Sequence, residues 1–269
     1  MSVNDSSVRY WGSPAVEELN SRVSRDPVIV LPLAATEQHG PHLPLSTDVD
    51  IGLGLLNEMF RLLDPNIPSW SLPIETVGAS MEHNRYRGTK SIAPDELGQI
   101  IFEHGQQLST LGIRRLVISN SHGGNSGAIE SAALRLREEC ELLVIKANYY
   151  RFERTVDVDF PDIEWRHGVH GGAVETALML YLHSETVKTQ AIRNFPSIAE
   201  ELEARKSRIQ PTGPAAFAWL AGDLNPLGVV GNATLASKET GKTLLRHYAT
   251  ILADIIEDAY RFPLDRLND

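Results

Sequence analysis

The chain has 269 residues, 42% of them hydrophobic and 22% charged, with a formal net charge of −10 and a pI near 5.4. That length and apolar content support a sizeable core, while the acidic balance excludes the clustered Lys and Arg of a nucleic-acid footprint. One cysteine, Cys140, rules out an internal disulfide, and no apolar run is long enough to span a membrane.

Residues 1–14 lack the basic-then-apolar order of a secretory leader, so the expectation is a soluble, cytoplasmic protein. No polar or low-complexity tract divides the sequence, which predicts one domain over residues 1–269. Short β-branched runs at 27–33, 70–77, 115–120 and 142–148 lack polar alternation, as strands covered on both faces do. Between them lie helical patterns at 49–63, 94–111 and 126–139. Pro94, followed by Asp95 and Glu96, marks a helix start, and Gly112 marks its stop. This alternation predicts an α/β fold, a three-layer α/β/α sandwich around a mainly parallel central sheet. Beyond residue 149 the pattern loosens. Residues 151–170 and 211–235 read as long loops, 172–183 as a helix, and 198–210 as a polar helix. The chain closes with an amphipathic helix after Ser237, whose stripe is Leu244, Leu245, Tyr248, Ile251, Leu252, Ile255 and Ile256.

The chemistry concentrates at predicted strand ends. Just past the first strand come Glu37-Gln38-His39-Gly40-Pro41-His42, with Asp48 closing the loop. His122 follows the strand 115–120 in a Gly-Gly turn, and His170-Gly171-Gly172-Ala173-Val174-Glu175 lies further on. Ligands in open α/β sheets collect beyond the carboxyl ends of strands, so these carboxylates and imidazoles share one rim. Together they suit Zn²⁺, Mn²⁺ or Fe²⁺. A carboxylate with two oxygens can bridge two such ions, which then stabilise a bridging hydroxide and clamp a tetrahedral intermediate. Asp48, preceded by Ser46 and Thr47, reads equally well as a helix N-cap. His42, fixed between Pro41 and Pro44, reads as a supporting residue. His104, His183 and His247 lie in helical runs and read as ordinary.

The segment 37–44 with Thr47-Asp48 resembles the signature of the creatininase (creatinine amidohydrolase) family. The resemblance extends to Glu82-His83 with Gly88-Thr89, to Asn120-Ser121-His122-Gly123-Gly124-Asn125, and to His170–Thr176, so it spans most of the chain. It implies an α/β/α fold, a binuclear metal centre and a homo-oligomer, usually a hexamer. It further implies that Glu37, Asp48 and His122 hold one ion, and that His39, Asp48 and Glu175 hold the other. Two departures stand out. Creatininase carries a metal-binding Glu where this chain has Gly124, and Ser121 replaces the usual Gly. The chain resembles instead the His-Gly-Gly-Asn branch, which includes formamide deformylases, the mycofactocin-maturation peptidase and a keto-inositol hydrolase.

The expected activity is therefore hydrolysis of an amide-type C–N bond in a cyclic amide, formamide or related small molecule, by a metal-bridging hydroxide. His170 and Glu175 are the expected catalytic residues, with His170 moving the proton. His83, Asn125 and Trp165 are expected to touch substrate. Two divalent ions are expected, zinc first, with manganese or iron as alternatives. The alternatives are a cyclic keto-sugar or keto-inositol hydrolase and a non-catalytic metal-binding assembly protein. Substrate selection is expected from loops 81–88, 151–170 and 211–231.

Overall fold

A computed structural model describes residues 7–12 and 14–267. Part of the N-terminal segment read above as lacking a leader's order, residues 1–6 and 13, lies outside the described residues. The elements in order are α1 (Val16–Val23), β1 (Val28–Leu33), α2 (Thr47–Leu62), β2 (Ser69–Ser71), α3 (Pro94–Thr110), β3 (Arg115–Asn120), α4 (Ser126–Cys140), β4 (Leu143–Asn148), α5 (Asp162–His167) and α6 (Ala173–Leu182). Then follow β5 (Asn194–Phe195), α7 (Ile198–Ala204), α8 (Ala221–Leu224), β6 (Gly231–Asn232) and α9 (Lys238–Arg261).

The central sheet runs β2-β1-β3-β4, with every neighbouring pair parallel. All six residues of β1 are buried, which explains the unalternated apolar run: helices cover both faces. Successive side chains point to opposite faces. Ile29, Leu31 and Leu33 therefore join Leu116 and Ile118 under α3 and α4, while Val28, Val30 and Val117 pack under α2 and α9. A third apolar cluster joins α2, α6 and α9, and includes Ile51, Leu55, Ala177, Leu178, Leu244 and Tyr248. These are the three expected layers.

Several boundaries differ from the sequence reading, each for a local reason. The run 70–77 pairs as a strand only over Ser69–Ser71, because Pro73 has no N–H to give a ladder. The segment still follows β1, through Leu72 N to Val30 O at 2.9 Å and Glu75 N to Pro32 O at 3.0 Å. The polar helix at 198 stops at Ala204, followed by Lys206 at φ 55°. The loop 151–170 contains α5, whose start carries Pro161 at the N-cap and Asp162 in the first turn. Loop 211–235 contains α8 and β6, and β6 pairs antiparallel with β5. Helix α1 has no counterpart in the sequence reading. Among the described residues no helix is long and apolar enough to cross a membrane.

Helices α6 and α9 cross so closely that a Cβ built on Gly241 would lie 1.8 Å from the Ala177 carbonyl oxygen. Helix propensity alone makes Gly→Ala favourable by about 1 kcal/mol. Backbone cannot yield as a flexible side chain can, so forced separation of the helices outweighs that gain, at about 1–3 kcal/mol. Gly241→Ala is expected to lower stability in urea unfolding despite the better helix former.

Candidate metal centre

The site is assembled at the carboxyl ends of β1 and β3. After β1, Ala34 N donates to Glu75 O at 2.9 Å, and Glu37 N donates to Leu45 O at 3.1 Å, which closes the 37–45 loop. Ser46 is the N-cap of α2, so Asp48 is not a cap: it is the second residue of the helix, and buried. Thr47 Oγ1 donates to Pro44 O at 2.7 Å and secures this turn. After β3, Ser121 Oγ lies 2.8 Å from Asp48 O and 3.1 Å from Leu33 O. The hydroxyl that departs from the resembled family's Gly thus ties the start of α2 to the strand ends.

These elements bring together all five residues read as metal ligands. Asp48 lies between two imidazoles, with Oδ1 3.2 Å from His39 Nε2 and Oδ2 3.2 Å from His122 Nδ1. His122 Nδ1 is also 3.3 Å from Glu37 Oε1, and His39 Nε2 is 3.7 Å from Glu175 Oε2. The ligand atoms of His39, Asp48 and Glu175 lie within 4.8 Å of one another, as do those of Glu37, Glu82 and His122 and those of Glu37, His39 and His170.

The hydrogen-bond network assigns the tautomers. His122 Nε2 faces Ala79 O at 3.1 Å and donates there, so Nδ1 is left toward the carboxylates. His39 Nδ1 faces Glu37 O at 3.1 Å and donates, leaving Nε2 inward. His170 Nε2 lies 2.9 Å from Gln38 O and donates, so its Nδ1 lone pair opens toward Glu37 Oε1 at 3.6 Å. Gln38 Nε2 donates to Gly228 O at 2.6 Å and to His83 Nδ1 at 2.9 Å, so His83 presents an N–H at Nε2, 3.4 Å from Glu37 Oε1.

Both Glu37 carboxylate oxygens, His39 Nε2 and Asp48 Oδ2 are buried without a hydrogen-bond partner. Buried carboxylates facing imidazole lone pairs are costly unless a cation lies among them. Divalent ions fit this donor set. Without them, protons take their place. Burial lowers the pKa of His39, but the carboxylates of Asp48, Glu175 and Glu37 outweigh it and push the value up to about 10. His122 is likewise raised well above its ordinary value, since Glu37 and Asp48 overcome its burial. Burial raises Glu37, yet His122, His170 and His83 hold it well below the usual carboxylate range. His170 goes the other way: burial, His39 and His83 keep it neutral.

Over these groups opens a cavity of about 600 Å³, with Tyr150, Val169, Thr212 and Trp219 on its wall. Each loop expected to select substrate contributes: Glu82 and His83 from the first, Arg151 and His170 from the second, Thr212 and Trp219 from the third. Two expected substrate contacts are elsewhere. Asn125 is buried with its amide fully used: Oδ1 accepts from Ala79 N at 2.9 Å, and Nδ2 donates to Ala34 O at 3.2 Å and Asn120 Oδ1 at 3.1 Å. It braces the loops and is absent from the cavity lining. Trp165 packs on Phe160, ring centroids 5.4 Å apart, because α5 turns it toward the third apolar cluster, and Trp219 takes the aromatic place on the wall. His42 supports from behind. Its Nε2 donates to Gly171 O at 3.1 Å, and its ring stacks on Phe195 at 5.1 Å. His104 contacts Glu75, His183 contacts Glu185 and His247 contacts Glu153, all away from the cavity. Gln38 and Glu82 carried no role in the sequence reading; their adjacency to Glu37, His39 and His83 was the available signal.

The profile of the creatininase family, described as creatinine amidohydrolase, matches residues 13–256. The mycofactocin precursor peptide peptidase of Mycobacterium ulcerans is 31% identical over 258 residues, which cover 91% of this chain and 90% of that protein. Creatinine amidohydrolase of Pseudomonas putida is 27% identical, over 93% of this chain and 97% of that protein. The solved structure of a mutant creatininase of Zn-Zn type superposes with a TM-score of 0.72 at 25% identity, covering 94% of this chain and 98% of that one. The chain belongs to the creatininase family.

Proposed function

We propose that this protein hydrolyses an amide-type C–N bond of a small molecule or short peptide at a binuclear metal centre. One observation carries the reading: the two oxygens of buried Asp48 each lie 3.2 Å from a different inward-facing imidazole nitrogen, beside orphaned Glu37. Glu37, Asp48 and His122 would hold one ion, and His39, Asp48 and Glu175 the other. Two divalent ions there, zinc first and manganese or iron as alternatives, would supply the charge that acidifies a water and polarises the scissile carbonyl. The relatives support the bond type, since a peptidase and a creatinine amidohydrolase both act on C–N amide linkages.

The chain's own residues supply the rest. His170 keeps an unprotonated Nδ1 toward the cavity, because its Nε2 is held by the Gln38 carbonyl at 2.9 Å. That nitrogen takes the proton of the attacking water and returns it to the departing amine. His83 Nε2–H orients a substrate oxygen, and Gly171 N holds Glu175 Oε2 at 2.6 Å, which fixes that oxygen 3.7 Å from His39 Nε2. Tyr150 and Trp219 limit water on the far wall and give the substrate's apolar part a surface. We infer further that the chain is one domain, a small-molecule enzyme of the cytoplasm that assembles as a homo-oligomer, with the hexamer of the family resemblance as the form to test by sedimentation.

Asp48→Ala is expected to lose both bound metal, measured by elemental analysis, and turnover of amide and formamide substrates. Unchanged turnover would remove the binuclear centre. His170→Ala is expected to keep its metals and lose about 10²–10⁴-fold in kcat with little change in KM; wild-type kcat would remove the proton-transfer role. Metal uptake requires the His39 lone pair, which a proton holds below about pH 10 in the metal-free state. Zn²⁺ binding near neutral pH is therefore expected to release protons and to tighten as pH rises. Calorimetry in buffers of different ionisation enthalpy reads this directly, and absence of proton release would contradict it.

A further inference from the structure

We propose that Glu82 is a ligand of the ion held by Glu37 and His122, an inference that rests on the binuclear reading above. Glu82 stands on the short 3-10 turn Met81–His83, and its carboxylate lines the cavity between His122 and His83. Its Oε1 is 3.7 Å from His122 Nε2 and 3.9 Å from His83 Nε2. Ligand atoms of Glu37, Glu82 and His122 all lie within 4.8 Å of one another, a spacing that one cation can span.

Three further observations bear on it. Both oxygens of Glu37, the buried member of this group, lack a hydrogen-bond partner and face the same space. Apart from its own backbone N–H, no described residue hydrogen-bonds the Glu82 carboxylate, because His122 Nε2 gives its proton to Ala79 O at 3.1 Å. The position beside it is also kept clear. A Cβ on Gly124 would lie 2.7 Å from Glu82 Oε1 and 2.3 Å from Ala79 O, so only a glycine there lets Glu82 reach inward. Glu82 thus comes in nearest the Nε2 edge of His122, whereas Asp48 and Glu37 face its Nδ1. The two ion positions become chemically unequal: Glu37, Asp48, Glu82 and His122 on one side, His39, Asp48 and Glu175 on the other.

The test uses the full-length protein stripped with a chelator and titrated with Zn²⁺ by calorimetry and with Co²⁺ by absorption. Glu82→Gln is expected to weaken one of the two ions by at least about 10-fold, to change the Co²⁺ bands, and to leave the melting of the stripped protein unchanged. Glu82→Asp keeps the charge near His122 but withdraws the oxygens by one methylene. It is expected to weaken that same ion as well. Two equivalents bound by Glu82→Gln at wild-type affinity with an unchanged Co²⁺ spectrum would overturn the proposal, as would wild-type binding by Glu82→Asp, which would mean that Glu82 acts through charge alone. Failure of the underlying reading looks different: the wild-type protein itself would bind fewer than two ions, and Asp48→Ala would bind as many as wild type.

Discussion

A buried aspartate between two imidazoles sets the terms for the rest of this molecule. Asp48 faces His39 with one oxygen and His122 with the other, while Glu37 lies beside it with neither oxygen satisfied. Negative charge at this depth is tolerable only with positive charge in its midst, whether protons or metal ions. The protein therefore has to hold a fixed set of like charges close together in its resting state. That requirement explains why so much of the surrounding hydrogen bonding serves loops instead of helices or strands.

Most of the bracing comes from residues outside the cavity lining, with Ser121 at its edge. Asn125 links three loops with one amide, and Ser121 ties the start of α2 to the ends of β1 and β3. His42 holds the Gly171 carbonyl, and through that turn the positions of His170 and Glu175. Buried Glu164 accepts from Ala173 N at 2.7 Å and Asn232 N at 2.6 Å, which joins α5, the start of α6 and β6. Gln38 orders the tautomers of two histidines at once. Such supporting bonds fix ligand orientation and decide which nitrogen carries a lone pair. The same few contacts thus serve both the rigidity of the fold and the direction of proton movement.

The outer wall follows different physics. Loops 81–88, 151–170 and 211–231 cross the top of the sheet, and the cavity's shape arises from where their few short elements settle. Trp165 illustrates the difference. Its place in a long loop suggested a substrate contact, but α5 forms and packs it on Phe160. Trp219, from a Gly- and Pro-rich stretch without readable periodicity, faces the cavity instead and is held by its indole N–H to Pro211 O at 2.9 Å.

The sequence by itself determined the layered parallel fold, because strands buried on both faces must be apolar without alternation and amphipathic helices must carry a stripe. It also determined the ligand types, because carboxylates and imidazoles clustered just past strand ends have few other uses. Tertiary structure alone decided how distant segments meet: that Asn125 braces the loops while Glu82 lines the cavity, and that Trp219 and not Trp165 lines the wall. These outcomes depend on distances between segments as many as 190 residues apart, as in the hydrogen bond from Gln38 to Gly228. Local spacing along a chain carries no information on such distances.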